Sequence, residues 1–290
     1  MSLLPEKIPV KAFYSTDANA PNLDKTANCV ATIIKACLVT GYGSIEPAGW
    51  SMPYEDLQVG VKVLRPLVSA EQDFYLRLSA DTGKQLTAQV YTSMTDINTG
   101  DLKLQCDTPF YYNGGNNVTG RWALIACERG FWFFCEVTAT TGYYFYCGDT
   151  TGDSLGDRGL CLAHSGGAAS GIYSGQDRTD ILKSLSDSRV ATDPVFYNTK
   201  QDKVSKVSFF ALFDGKSDKT KNACLSPLCF FADNELYQLP SFMPSKNNLL
   251  NYETTQTLNM QLVNCATATF GSYGVAPKTN MYVRTDAWEF

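Results

Sequence analysis

Hydrophobic positions along this chain follow two periods, and the short, strand-like one dominates. Phe74-Tyr-Leu-Arg-Leu-Ser, Ala88-Gln-Val-Tyr, Arg121-Trp-Ala-Leu-Ile-Ala, Gly130-Phe-Trp-Phe-Phe-Cys-Glu-Val, Tyr143-Tyr-Phe-Tyr-Cys and Val207-Ser-Phe-Phe-Ala-Leu-Phe are rich in aromatic and β-branched residues. Such side chains fit a pleated, half-buried surface. Turn-forming groups separate the runs: Asp81-Thr-Gly, Asn113-Gly-Gly-Asn-Asn, Glu128-Arg-Gly, Thr141-Gly and Asp214-Gly. This spacing predicts an antiparallel meander and not a β-α-β series.

The longer period occurs once with strength. From Asp24 to Val39 the apolar positions Val30, Ile33, Ile34, Cys37 and Leu38 recur at three and four residues, with Asn22 or Asp24 available as N-cap and Gly41 as stop. The pattern predicts a helix with one face packed on a sheet. A weaker helix is expected over Arg178 to Ser188, where Ile181, Leu182 and Leu185 follow Asp177. The expected fold is therefore mainly β (β-rich α+β), an antiparallel meander or sandwich carrying one N-terminal amphipathic helix.

Residues 1–22 read as an extended N-terminal arm, because Pro5, Pro9 and Pro21 keep much of it out of a central sheet or a helix. Its apolar residues, Leu3, Leu4, Ile8, Val10, Phe13 and Tyr14, need a partner. The arm is expected to serve assembly by lying across a neighbouring subunit; the alternative is that it wraps its own domain. Residues 23–290 are expected to form one elaborated β-rich domain, with any subdivision near 165–195.

The aromatic runs Phe110-Tyr-Tyr, Phe131-Trp-Phe-Phe and Tyr143-Tyr-Phe-Tyr pose a question. Strand side chains alternate between faces, so an unbroken run cannot put every ring on one side. Either both faces of the sheet are covered or one face is an interface.

Composition narrows the function. With 44% hydrophobic residues, 16 Tyr, 16 Phe and 4 Trp, the chain has enough apolar material for a core. Charged residues make up only 18%, below the roughly 25% of an average domain, which suits contact with other protein. A net charge of -5 repels a phosphate backbone, so no nucleic-acid partner is expected. The N-terminus has no apolar core of a secretory signal, and the longest apolar stretches fall short of the ~18 residues a spanning helix needs. Neither export nor membrane insertion is expected. Ten cysteines occur without any C-x-x-C pair. Most lie among apolar neighbours, which favours buried thiols over a metal site, with disulfides formed later in a released particle as the alternative.

Candidate chemistry is sparse. The single histidine, His164, precedes Ser165 and stands near Ser170, but adjacent side chains seldom reach triad geometry. Gly166-Gly-Ala-Ala-Ser-Gly lacks the G-K-[ST] ending of a phosphate loop. Asp149, Asp153 and Asp157 lack the ligand order of a calcium loop and read as a solvated acidic turn. Asn117-Val-Thr matches a glycosylation sequon, which matters only to an exported chain. No catalytic, cofactor-binding or metal-binding residue is assigned, no cofactor is expected, and the chain reads as a non-enzyme.

One set of motifs stands in a fixed order. Ser15, Thr16 and Asp17 lead to Ala-Pro at Pro21; after the helix come Gly41, Tyr42 and Gly43, then Gly49 and Trp50. Met94, Thr95 and Asp96 precede Gly100, and Arg121 with Trp122 and Cys147 with Gly148 and Asp149 follow. Together with Phe74-Tyr-Leu-Arg-Leu, this order resembles a group of virion-associated structural proteins of tailed bacteriophages and prophages, over roughly residues 13–160. The chain departs from the group in its ten cysteines and in lacking a proline after Arg121. The resemblance implies a virion component of the neck, tail or head surface (a capsid decoration). Such a protein assembles in the bacterial cytoplasm with other virion proteins, as a homo-oligomer in a symmetric particle, and has no catalytic residues to transfer. The alternative, drawn from the aromatic strands, is a carbohydrate- or receptor-binding module of the phage tail. Glycines 41, 43 and 49 permit a tight path after the helix and Trp50 can anchor it, so these residues read as architecture.

Overall fold

The computed structural model describes residues 6–66, 73–83, 85–109, 120–138, 141–152, 158–164, 195–207, 209–211, 228–240, 242–245, 262–264 and 280–290. Strands β1 (Lys7–Pro9) and β2 (Lys11–Tyr14) precede helix α1 (Cys29–Lys35), which continues as a π-helical turn over Ala36–Thr40. Five strands follow as an antiparallel meander: β3 (Ser51–Asp56), β4 (Val61–Arg65), β5 (Tyr75–Ser79), β6 (Gln85–Met94) and β7 (Gly100–Pro109). A ten-stranded sheet joins β2 to β8 (Trp122–Cys127), β9 (Gly130–Thr138), β10 (Thr141–Gly152), β11 (Arg158–His164), β12 (Val195–Asn198), β13 (Lys203–Lys206), β14 (Phe209–Ala211), β15 (Leu228–Ala232) and β16 (Glu235–Gln238). Strands β17 (Phe242–Ser245), β18 (Leu262–Asn264) and β19 (Asn280–Arg284) form a third sheet, and β20 (Ala287–Glu289) pairs with β1. All these pairings are antiparallel, so the fold is mainly β, as the periodicity predicts. The meander reading holds for β3 to β7 and, within the large sheet, for β8 to β13 and β14 to β16; the β2–β8 and β10–β16 pairings leave sequence order.

The run Phe131-Trp-Phe-Phe and, opposite it, Phe145 and Tyr146 lie in the large sheet and feed cores on both of its faces, while Phe110-Tyr-Tyr lies outside the described residues. Register pairs Phe131 with Cys147, Trp132 with Tyr146 and Phe133 with Phe145. Phe131, Phe133, Phe145 and Cys147 enter one core with Leu124, Leu160 and Leu162, beneath α1 and the meander residues Leu64, Leu76, Leu78, Leu86, Val90 and Leu104. Trp132, Phe134 and Tyr146 enter a second core with Ile125, Cys161, Phe196, Phe230, Tyr237, Val283 and Trp288. Ring centroids lie 5.5 Å apart for Phe131–Phe145 and 4.6 Å for Trp132–Tyr146. Alternation along the strand thus feeds two cores, and each ring taken from water contributes about 1.5–3 kcal/mol.

β10 is where the large sheet divides. Along one edge it pairs with β11 from Phe145 to Thr151. Along the other it pairs with β9 as far as Gly148 opposite Gly130, then with β16 through Thr151 and Gly152. At the change of partner the backbones crowd: a Cβ on Gly148 would stand 2.5 Å from Gly130 Cα and 2.6 Å from the Arg129 carbonyl. Only glycine fits there. Thr141-Gly, read from sequence as a turn, opens β10 instead.

The helix begins later than its apolar pattern. Asp24 does not cap it; its Oδ1 accepts the Thr26 N–H at 3.0 Å in a local turn, and Lys25 and Asn28 take left-handed backbone conformations, φ 67° and 68°. The first free N–H groups find their acceptor far away in sequence. Ala31 N–H donates to Asp81 Oδ2 at 2.8 Å, while Oδ1 accepts Gly83 N–H at 2.8 Å. At the other end Gly41, φ 71°, stops the helix as expected, its N–H reaching the Ala36 carbonyl at 2.8 Å. The helix is amphipathic as expected: Thr32, Lys35 and Val39 form its open stripe, while Val30, Ala31, Ile33, Ile34, Cys37 and Leu38 are inaccessible.

The N-terminal arm requires a correction. Residues 7–9 pair with 287–289, and residues 11–14 pair with 123–126 of the large sheet. Ile8 and Phe13 are buried in the two cores of their own chain. From residue 6 onward the segment therefore wraps its own fold, and the expectation that it serves assembly rather than the core does not hold there. Pro9 ends a short strand of a two-stranded ribbon, where a missing N–H is tolerated. Residues 1–5, the weaker helix over 178–188 and the turns at 113–117 and 214–215 lie outside the described residues.

The two-core arrangement sets an expectation for adjacent residues. Phe131→Ala and Trp132→Ala should each lower the unfolding free energy by about 3–5 kcal/mol in urea titrations. If either face were solvated, that member of the pair would change stability by only about 0.5 kcal/mol.

Candidate functional site

Four motif segments meet beside the edge formed by β2 and β8. Asp17 closes the turn after β2: its Oδ2 accepts the Tyr14 N–H at 2.8 Å and the Tyr42 hydroxyl at 2.7 Å. Ser15 N–H donates to the Trp122 carbonyl at 3.0 Å, and Trp122 Nε1 donates to the Pro21 carbonyl at 2.9 Å. The Tyr42 ring stands edge-on to Trp122 at 6.3 Å and tilted to Phe13 at 6.2 Å. Gly43 admits the turn, since a Cβ there would lie 2.8 Å from the Ala18 carbonyl. Burial, then the hydrogen bond to Asp17, pushes the Tyr42 phenol well above its ordinary range.

From this knot the chain runs to Trp50. The Ala48 N–H donates to the Cys37 carbonyl at 2.8 Å and the Trp50 N–H to that of Leu38 at 2.9 Å, so the strand entry satisfies carbonyls at the helix end. Trp50 Nε1 donates to the Cys127 carbonyl at 2.9 Å, and its ring lies edge-on to Phe74 and Phe131, both at 5.8 Å. Gly49 takes φ 96° on the way.

The remaining motif residues lie elsewhere. Gly148 and Asp149 stand at the division of the large sheet, with Asp149 buried and its carbonyl accepting the Tyr146 hydroxyl. This corrects the reading of Asp149 as part of a solvated turn; Asp153 and Asp157 lie outside the described residues. Met94 to Gly100 form the β6–β7 loop, distant in the meander. There Asp96 Oδ1 accepts the Asn98 N–H at 2.7 Å, which lowers the Asp96 pKa, and Thr95 N–H donates to the Thr99 carbonyl at 2.9 Å. Arg77 braces the loop through the Ile97 carbonyl and Asn98 Oδ1, both at 2.9 Å.

These contacts are internal, pairing side chains with backbone groups, with one another and ring against ring. Among the described residues no group of three or more His, Cys, Asp or Glu is placed to hold a metal ion. No helix there is long and apolar enough to cross a membrane. His164 ends β11 with its side chain outside the described set, as are Ser165 and Ser170. The eight described cysteines are buried thiols. Burial pushes Cys127 up to about 12, Cys229 up to about 11 and Cys147 well above the usual thiol range.

Sequence reasoning missed the apolar groups that the fold leaves outside. Leu57 is 80% exposed and Val59 67%, at the tip between β3 and β4. Asp56 Oδ1 fixes that tip by accepting the N–H groups of Gln58 at 2.8 Å and Val59 at 3.2 Å. Phe231, 62% exposed, stands beside the Asp233-Asn234 turn. The available signal was two aliphatic residues between Asp56 and Gly60, a turn composition with no strand partner of its own.

Two outcomes follow. Tyr42→Phe should lower stability by about 1–2 kcal/mol, because Asp17 loses a charge-assisted bond. Since the folded phenol titrates above the unfolded one, this contribution is present below about pH 10 and fades as pH rises above it, so the variant should show a shallower alkaline loss in urea midpoints. For the thiols, peptide mapping after iodoacetamide treatment at pH 8 should leave the eight described cysteines unlabelled in native protein and label them in denaturant.

No family model, no curated protein and no solved structure matches this chain.

Proposed function

We propose that the chain is a structural component of a tailed-bacteriophage virion, at the neck, tail or head surface, acting through contact with other virion proteins as a homo-oligomer. The observation that carries this reading is the convergence of motif segments: Trp122 and Pro21, 101 positions apart, bond directly, and Asp17 and Tyr42 close the same knot. Asp17, Pro21, Tyr42 and Trp122, four of the residues quoted for the resemblance, thus serve one piece of framework, which suits a family likeness rooted in architecture. Low charge and the exposed apolar tip at Leu57 and Val59 favour contact with protein.

The tail-module reading rested on aromatic strands free to stack on sugar. Phe131, Trp132, Phe133, Phe134, Phe145 and Tyr146 are all buried, so these rings offer no such platform. The observation favours assembly over glycan recognition.

Mass spectrometry of gradient-purified particles tests the proposal. The protein should co-sediment with the particles in a constant ratio to their major capsid protein. Its absence from particles, or saturable binding of the isolated protein on a glycan array, would defeat the reading.

A further inference from the structure

Arg129, in the turn between β8 and β9, is a cation that the fold closes in with less than its full set of partners. Its side chain is 7% exposed, Nη2 donates to Glu6 Oε2 at 2.6 Å, and the Phe290 ring centroid lies 5.4 Å from Cζ. Among the described residues Nε and Nη1, both shut off from solvent, meet no acceptor. A guanidinium carries its N–H donors in a fixed fork, and a donor buried without an acceptor has lost its water and gained nothing in exchange. The closed form therefore keeps a cost that hydration would remove.

The strand whose neighbour Glu6 holds Arg129 is itself lightly held. β1 pairs along one edge only, with β20, in a two-stranded ribbon apart from the three larger sheets. Glu6 and Phe290 exchange main-chain bonds of 3.0 and 3.1 Å, and the Val10 N–H donates to the Asp286 carbonyl at 3.2 Å. Ile8 is the one buried side chain of β1; Lys7 and Pro9 are exposed. β20 is anchored more firmly. Trp288 is inaccessible, its Nε1 donates to the Arg284 carbonyl at 3.0 Å, and the Thr151 hydroxyl donates to the Glu289 carbonyl at 3.4 Å. Lifting β1 away takes one aliphatic side chain and one row of bonds, whereas lifting β20 would strip the second core of its tryptophan.

We propose that β1 is a releasable strap: it detaches from β20 as a unit while the sheets stay folded, and the unmet donors of Arg129 set how readily it does so. In the closed form Glu6 is the acceptor that makes burial of the guanidinium tolerable. In the open form water reaches Nε, Nη1 and Nη2, so release of the strap is helped by the hydration of a charge. The β20 main chain then loses its partner strand and becomes an edge open to pairing. This inference does not depend on the proposed role in a virion.

Hydrogen–deuterium exchange of the full chain, read peptide by peptide by mass spectrometry in native buffer, tests the strap. Peptides covering residues 6–10 should exchange at least about tenfold faster than those of β9 and β10, which exchange only when the sheet opens. Glu6→Gln, which leaves Arg129 an uncharged acceptor, should speed exchange over residues 6–10 by about a further tenfold and leave β9 and β10 unchanged. Arg129→Met, which fills similar space without donors, should undo that effect: in the double variant exchange over residues 6–10 returns to the wild-type rate or below it. Equal rates for residues 6–10 and for β9 and β10 in the wild-type chain would overturn the proposal, since β1 would then open only with the whole fold. An unchanged rate in Glu6→Gln, or an increase that Arg129→Met does not undo, would overturn it as well. The wild-type and Glu6→Gln chains decide the matter by themselves if Arg129→Met fails to fold.

Discussion

Everything else in this fold depends on burying both faces of one antiparallel sheet. A strand that reads Phe131-Trp-Phe-Phe cannot be half solvated without exposing large rings, so each face needs its own cover. The meander and α1 cover one face; β15, β16, β19 and β20 contribute cover to the other. The order of elements along the chain follows from this requirement. The first part of the chain supplies one layer, the middle supplies the shared sheet, and the end returns with Trp288 and Phe290 to close the second core together with Ile8.

Two covered faces bring a geometric problem, which is how a single sheet can serve cores of different shape. β10 meets it by changing neighbours partway along its length, from β9 to β16. The paired glycines 130 and 148 let the backbones close up at that point, and the buried Arg129 nearby bonds to Glu6 at 2.6 Å with its guanidinium 5.4 Å from the Phe290 ring. The chain ends are thereby tied to the place where the sheet divides, through the Glu6 and Phe290 main-chain pair at 3.0 and 3.1 Å.

The same requirement bears on function. Aromatic residues of β9 and β10 that look in sequence like a binding surface are consumed as core, and among the described residues the large apolar groups left outside are Leu57, Val59, Leu102, Val204 and Phe231. Those β9 and β10 rings are spent on internal packing rather than left at the surface. The motif residues have the matching character: Asp17, Tyr42, Trp50 and Trp122 spend their polar atoms on the chain itself.

The sequence by itself determined a good deal. Aromatic and β-branched runs fixed the β class, the three- and four-residue spacing located the helix, Gly41 marked its end, and the unbroken rings announced two buried faces or an interface. These features are local, written in the alternation and spacing of neighbouring side chains. What only the tertiary structure decided is non-local. The helix starts at Cys29, where Asp81, fifty positions beyond Ala31, accepts the Ala31 N–H, while Asp24 is spent on Thr26. The arm folds home because β8 and β20 offer it strand edges. Asp149 is buried because β10 runs four residues past its pairing with β9. Sequence pattern records which face a residue prefers, but the partner across that face comes from another part of the chain, and only packing selects it.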